Sequence, residues 1–254
     1  ELYLRMSWRK HLLLFGATLV MGVLLLQDFG SIGTTYDETA DLRITTDIQQ
    51  GKSPFANVEI PSQTRLIYYL HAIAISVFDH PFTHYLVSAV GMLLLVWVWY
   101  FFLYQHAGKQ AAAIMLFLAI TSIPLLTAGR HLLTHSNAVF ALFFSLTIIA
   151  LYNWIATKQQ KYLLLAAVFA GLSTSLSMLG IFMVFPLLCI AIACRNDINI
   201  SIPSLLLAAL TGLATFFCTT IIYFNPKILT DAIHEALDGH TYTYWNYLNT
   251  GEVH

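Results

Sequence analysis

Runs of apolar residues divide this chain into long hydrophobic segments, short polar turns and two long polar stretches. His11 to Gln27 is apolar apart from its ends and, with its flanks, long enough to cross a hydrocarbon layer of about 30 Å as a helix. Residues 28–65 are polar and carry Asp28, Asp37, Glu38, Asp41, Arg43, Asp47, Lys52, Glu59 and Arg65. Leu66 to Phe78 is apolar again, but at about thirteen residues it is too short to cross as a straight helix. Leu66, Ile67, Leu70, Ile73, Ala74 and Val77 recur at helical spacing, which predicts a helix lying on the membrane surface.

Phe82–Tyr104, Ala111–Ala128 and residues 135–156 predict three further spans, separated by polar turns at His106–Lys109 and Gly129–Arg130. Tyr162 to Ala193 is apolar over roughly thirty residues, with a break at Ser177-Met178-Leu179-Gly180, and predicts two short, tight spans. Pro203 then opens a last helix running to about Phe224. The pattern is that of an all-α polytopic membrane protein with about seven transmembrane helices. An outer juxtamembrane helix lies within the first outer loop, 28–81, and an outer polar segment covers 225–254.

Composition agrees. The chain is 58% hydrophobic and only 10% charged, against about 25% charged in a soluble domain, so lipid is the solvent that fits. Cys189, Cys194 and Cys218 lie in or beside apolar stretches without metal-ligand spacing. A net charge of -1 argues against nucleic acid as a partner, and no basic motif points to one. With the N-terminus inside, Arg5, Arg9, Lys10, Lys109, Lys158, Lys161 and Arg195 crowd short inner loops. Arg43, Lys52, Arg65, Arg130 and Lys227 are dispersed outside, as are all the acids except Glu1 and Asp197. This is the distribution that orients membrane proteins with their cytoplasmic loops basic. The chain starts at Glu1 and stops just after an aromatic-rich polar stretch, so a longer protein, trimmed at its ends, is expected.

Four constellations carry candidate chemistry. Past the first span, Thr34-Thr35-Tyr36-Asp37-Glu38-Thr39-Ala40-Asp41 offers adjacent carboxylates: one could take a proton from a hydroxyl while the other holds a cation or orients a neighbour. The same residues also suit a solvated loop leading into a helix with an acidic first turn. Around the short helix stand Arg65, Tyr68, Tyr69, His71, Asp79, His80 and His84, where Arg65 could meet a lipid phosphate or serve as an interfacial anchor. A metal site at His80 and His84 would need a helix running through Pro81, where a helix is expected to begin instead. Gly129 through Asn137, with Arg130, His131 and His135, joins two spans on the outer side and suits phosphate binding, proton transfer or simple snorkelling. The tail holds Asp238, Gly239, His240, Tyr242, Tyr244, Trp245 and Tyr247, fit for sugar or lipid headgroups or for the membrane interface alone.

In order along the chain, these residues resemble the membrane glycosyltransferases that take a sugar from a polyprenyl- or dolichyl-phosphate carrier. That group, of GT-C fold, includes the protein O-mannosyltransferases and the aminoarabinose transferase acting on lipid A. Tyr36-Asp37-Glu38 with Ala40 and Leu42 resembles the opening of the family's outer loop, and Arg65-Leu66-Ile67-Tyr68-Tyr69-Leu70-His71-Ala72 its juxtamembrane segment. Leu86 to Gly91, Gly129 to Asn137 and Ala170-Gly171-Leu172 follow in the family's order, and Gly239-His240 with Trp245-Asn246-Tyr247-Leu248 is similar to its outer aromatic segment. Family members are commonly longer. This chain also departs from them: Ile60-Pro61-Ser62-Gln63-Thr64 replaces a proline pair, His135 or Ser136 stands where many carry an acid, and Gly180-Ile181 lies near the place of a common lysine.

The resemblance implies an enzyme in the bacterial inner membrane, or alternatively the ER membrane, that transfers a lipid-linked sugar with inversion to a hydroxyl on the outer side. It casts Asp37 as general base and Glu38 as its orienting partner or a divalent-cation ligand. Arg65 and Arg130 would hold the carrier phosphate, with Tyr69, His71, His135 and His240 as further substrate contacts. The acceptor would be a glycan, lipid or protein, and other membrane subunits are conceivable partners. The departures leave two rivals: a catalytically silent structural subunit, and a transporter or flippase of lipid-linked sugars, which needs a lipid groove but no base.

Overall fold

The computed structural model describes residues 11–26, 45–46, 49–50, 66–78, 83–130, 138–176 and 201–221, which are helical almost throughout and contain no strand. The helices are α1 (Leu12–Leu26), α2 (Leu66–Val77), α3 (Thr83–His106), α4 (Gly108–Thr121), α5 (Ile123–Arg130), α6 (Ala138–Thr157), α7 (Gln160–Leu176) and α8 (Ile202–Ile221). Among the described residues, three stretches are long and apolar enough to cross a membrane on their own: Tyr85–His106, Ala138–Thr157 and Ile202–Thr219. Large apolar side chains face outward all around, among them Phe15, Leu19, Phe117, Leu118 and Leu210. In hydrocarbon that is the expected surface, because a helix satisfies its own backbone and lipid solvates its side chains.

Cross-helix contacts fix the directions. As α1 advances from His11 to Thr18, its partners on α3 recede from Tyr104 to Trp97, so the two are antiparallel. The end of α1 and the start of α3 therefore lie on one side, and α2 between them does not cross, as its length predicts. Thr83 Oγ1 donates to the carbonyl of Phe78 at 2.7 Å and closes the corner from α2 into α3. At the far end of α3 the Ala107 N–H donates to the Leu103 carbonyl at 2.8 Å, and Gly108 takes a φ of 87°, a conformation that favours glycine. The chain reverses there into α4.

The span expected over 111–128 is not one helix. Pro124 has no N–H for the Ile120 carbonyl and its ring would clash with that carbonyl, so α4 stops at Thr121. Ser122 is extended, with φ -79° and ψ 102°, and its carbonyl accepts the Leu126 N–H at 3.0 Å to start α5. Together α4 and α5 return the chain to the α2 side.

Helix α6 runs parallel to α3: Gly91 faces Val139, Trp99 meets Ser145 and Phe102 meets Tyr152. A short reversal follows, in which Lys158 adopts φ 60° and its N–H caps the Trp154 carbonyl at 2.7 Å. It leads into α7, which packs antiparallel on α6, with the Phe169 ring tilted against Phe143 at 6.2 Å between centres. Ser201 caps α8, its Oγ accepting the Ser204 N–H at 3.3 Å, so Pro203 sits in the second helical position.

Helices α7 and α8 then pack in parallel through small residues. Ala167 lies against Gly212, Gly171 against Gly212 and Thr215, and the hydroxyls of Ser175 and Thr219 hydrogen-bond. A β-carbon on Gly171 would sit 2.6 Å from the Gly212 carbonyl oxygen. Close backbone approach of this kind is how helices associate in lipid, where no hydrophobic force drives them together.

Three buried clusters tie the bundle together. Leu14, Met21, Leu25, Met92, Tyr100, Leu116 and Leu142 join α1, α3, α4 and α6. Ala150, Trp154, Leu163, Ala166 and Ala208 join α6, α7 and α8. Ile67, Tyr68, Val139 and Leu176 seat α2 on the ends of α6 and α7.

Candidate functional site

The antiparallel and parallel pairings gather one set of helix ends around α2: the end of α1, the start of α3, the end of α5, the start of α6 and the ends of α7 and α8. The turns at Gly108 and Lys158 lie at the opposite end. The α2 end is thus where the first polar loop, the α5–α6 connection and the tail all attach to the described helices.

Helix α2 presents Ile67, Tyr68, His71, Ala72 and Ile75 to the protein. Those residues are spaced alternately by one and three positions, a packing face offset from the apolar stripe visible in the sequence. Ile73 and Val77, two members of that stripe, are instead 60% and 67% exposed. Because α2 is apolar on every side, its protein face and its exposed face cannot be told apart by hydropathy.

Among the expected site residues, His71 is buried to 3% exposure on the packed face of α2, while Tyr69 is half-buried on its flank. Arg130 is the last residue of α5, which places its backbone at the α2 end. Asp37, Glu38, Arg65, His135 and His240 lie outside the described residues. The structure therefore brings the α2 segment and the end of α5 to one side of the bundle.

Other polar groups at this end escape a reading by charge and motif. Ser88 on α3 and Ser173 on α7 are fully buried, and their hydroxyls have no hydrogen-bond partner among the described residues. Most helical hydroxyls in this bundle donate to the carbonyl one turn back, as Thr147 does to Phe143 at 2.9 Å and Thr174 to Ala170 at 2.9 Å. Serines in an apolar helix carry no sequence mark of which one will be left unsatisfied. Nor are the indole bonds marked: Trp97 Nε1 donates to Thr18 Oγ1 at 2.8 Å and Trp99 Nε1 to Ser145 Oγ at 3.0 Å, both inside the bundle.

No aspartate or glutamate occurs among the described residues, and no three His, Cys, Asp or Glu side chains among them converge as metal ligands. The described helices thus supply hydroxyls, imidazole and a cationic residue at the α2 end. A carboxylate base would come from elsewhere in the chain.

Such a bundle, apolar outside with its long polar segments attached at one end, defines an integral membrane protein. Residues 62–223 match the family described as dolichyl-phosphate-mannose-protein mannosyltransferase, and the chain belongs to that family. The match takes in α2 through α8 and carries the family's general activity, glycosyl transfer from a lipid-phosphate-linked sugar. No curated protein and no solved structure matches the chain.

Proposed function

We propose that the protein transfers a sugar, with inversion, from a polyprenyl-phosphate carrier to an acceptor hydroxyl on the α2 side of the membrane. The observation that carries this reading is the family match over 62–223, which spans the helices that assemble around α2. Asp37 acts as general base, removing the acceptor's proton as its oxygen attacks the anomeric carbon. Glu38 orients Asp37 or contributes to a divalent-cation site. Arg65 and Arg130 stabilise the carrier phosphate as it leaves, where positive charge favours the growing negative charge. Tyr69, His135 and His240 contact substrate, and His71 supports that surface from the packed face of α2.

The lipid tail of the donor lies against the helices while its phosphate reaches the α2 end. That end is the outer face in this proposal, since Lys109, Lys158 and Lys161 occupy the opposite, inner one. Seven crossings follow. The parallel course of α7 and α8 fits that count.

The test is sugar transfer from a panel of short-chain polyprenyl-phosphate sugars by the full-length protein and its Asp37→Asn variant. Transfer by the parent and its loss in a folded variant supports the proposal. Equal transfer by both removes Asp37 from the role of base, and no transfer by either moves the assignment to transport or a structural role. Stripping divalent cations with EDTA and adding them back distinguishes the two roles offered for Glu38.

A further inference from the structure

The end of the bundle away from α2 carries a surface that sugar transfer does not use. There α3 finishes at His106 and α6 at Thr157, and the chain turns into α4 and α7. Lys109, Lys158 and Lys161 occupy these turns or the first helical turn after them, and all three are exposed. Two of the three are placed against what the helices alone favour, while Lys158, just past the end of α6, is not. Lys109 and Lys161 lie in the first turns of α4 and α7, where the helix dipole is already positive and no acid is present. Ala107 stands at the N-cap of α4 and offers no side-chain acceptor. No aspartate or glutamate among the described residues offsets this charge.

Beneath the lysines an apolar strip follows the seam between α3 and α6. The Phe102 ring meets Tyr152 edge-on at 5.2 Å, and His106 lies 4.7 Å from Phe102 and 4.9 Å from Tyr152. Tyr152 is 44% exposed, and Ile148, one turn earlier on the same helix, is 40% exposed. The strip therefore climbs from Ile148 past Tyr152 and Phe102 to a polar rim at His106, with Lys109 and Lys158 on the turns beyond.

We infer that this seam binds an anionic phospholipid. An acyl chain lies along Ile148, Tyr152 and Phe102, and the headgroup phosphate meets Lys109 and Lys158 beside His106. Complementarity selects the occupant. Two lysines without a carboxylate among the described residues call for an anion, and the exposed apolar strip leading to them calls for a tail joined to it. A soluble anion would leave the strip unused. Lys161 has another engagement, its ammonium lying 4.9 Å from the centre of the Tyr162 ring.

The inference stands apart from the proposed transfer reaction, and its test reads lipid association rather than activity. The full chain is reconstituted in phosphatidylcholine vesicles containing a trace of spin-labelled phosphatidylglycerol or spin-labelled phosphatidylcholine. The motionally restricted fraction then gives the relative association of the two lipids. The parent is expected to prefer phosphatidylglycerol severalfold. Each lysine near a membrane surface contributes on the order of fivefold at most, so the Lys109→Gln/Lys158→Gln variant falls to near parity. The Lys109→Arg/Lys158→Arg variant keeps the preference. Equal association in the parent overturns the inference, and so does a preference unchanged in the glutamine variant, which would place the anion site elsewhere. Should the glutamine variant fail to fold, salt decides in the parent: a preference lost at high ionic strength supports the site, and one that persists overturns it.

Discussion

The seam between α3 and its neighbours and the seam between α7 and α8 solve the same problem by opposite means. Around α3, large side chains do the joining: Trp97 reaches Thr18 on α1, Trp99 reaches Ser145 on α6, and aromatic rings fill the spaces between. Between α7 and α8 side chains are removed, and Gly171, Gly212 and Ala167 let the backbones touch. The first seam is held by many partners, most of them replaceable, with one close backbone approach at Gly91. The second depends on a few positions where almost nothing can be added. The contrast teaches where a membrane bundle is tolerant and where it is brittle, since cavities can relax partly but a backbone-to-backbone clash must move a helix.

The largest expected effect comes from filling the brittle seam. Gly171→Leu should separate α7 from α8 and cost about 3 kcal/mol or more, because even a β-carbon meets the Gly212 carbonyl. Disulfide trapping between cysteines placed at Ser175 and Thr219 measures it, and undiminished trapping in the variant would refute the close contact. Gly91→Ala probes a related approach on the tolerant side. Its new methyl would lie 2.8 Å from Val139 Cγ2 and 3.0 Å from the Val139 nitrogen, for an expected loss of roughly 2 kcal/mol in reversible unfolding.

A smaller term, about 0.6 kcal/mol, is expected for the bond from Trp99 to Ser145, which Trp99→Phe deletes while leaving a smaller aromatic ring in place. A double-mutant cycle with Ser145→Ala should return that coupling, and a value near zero would reduce the bond to a bystander of packing. The smallest effect is a gain. Lys158→Gly relieves a non-glycine residue at φ 60° and should stabilise the α6–α7 turn by about 0.5 kcal/mol, seen as a slight rise in thermal midpoint. Unchanged or lowered stability would mean that the lysine side chain contributes more than its backbone costs.

Much of the fold could be read from the chain because lipid imposes a length rule. The cores of α3, α6 and α8 fall where twenty or so apolar residues run unbroken, and α2 was recognisable as too short to cross. The break at Ser122 had its signal in Pro124, which hydropathy averages away. What the sequence leaves blank is rotation. A helix that is apolar on all sides does not disclose that Gly171 faces α8, that His71 faces the protein, or that Ser88 and Ser173 find no partner among the described residues. The candidate site divides in the same way. Its location at one end of the bundle follows from the alternation of spans. Asp37 and Glu38, which motif resemblance singles out, lie outside the described helices, and no carboxylate among the described residues stands in for them.

The parallel course of α7 and α8 also has a consequence for biosynthesis. Ser175 and Thr219, whose hydroxyls join, are 44 residues apart. At roughly 5–20 residues per second a ribosome needs about two to nine seconds to supply the second after the first. Through that interval the glycine face of α7 emerges without its mate, open to any other helix leaving the insertion machinery. The order of synthesis, and not affinity alone, then decides whether α7 waits for α8 or pairs wrongly before it arrives.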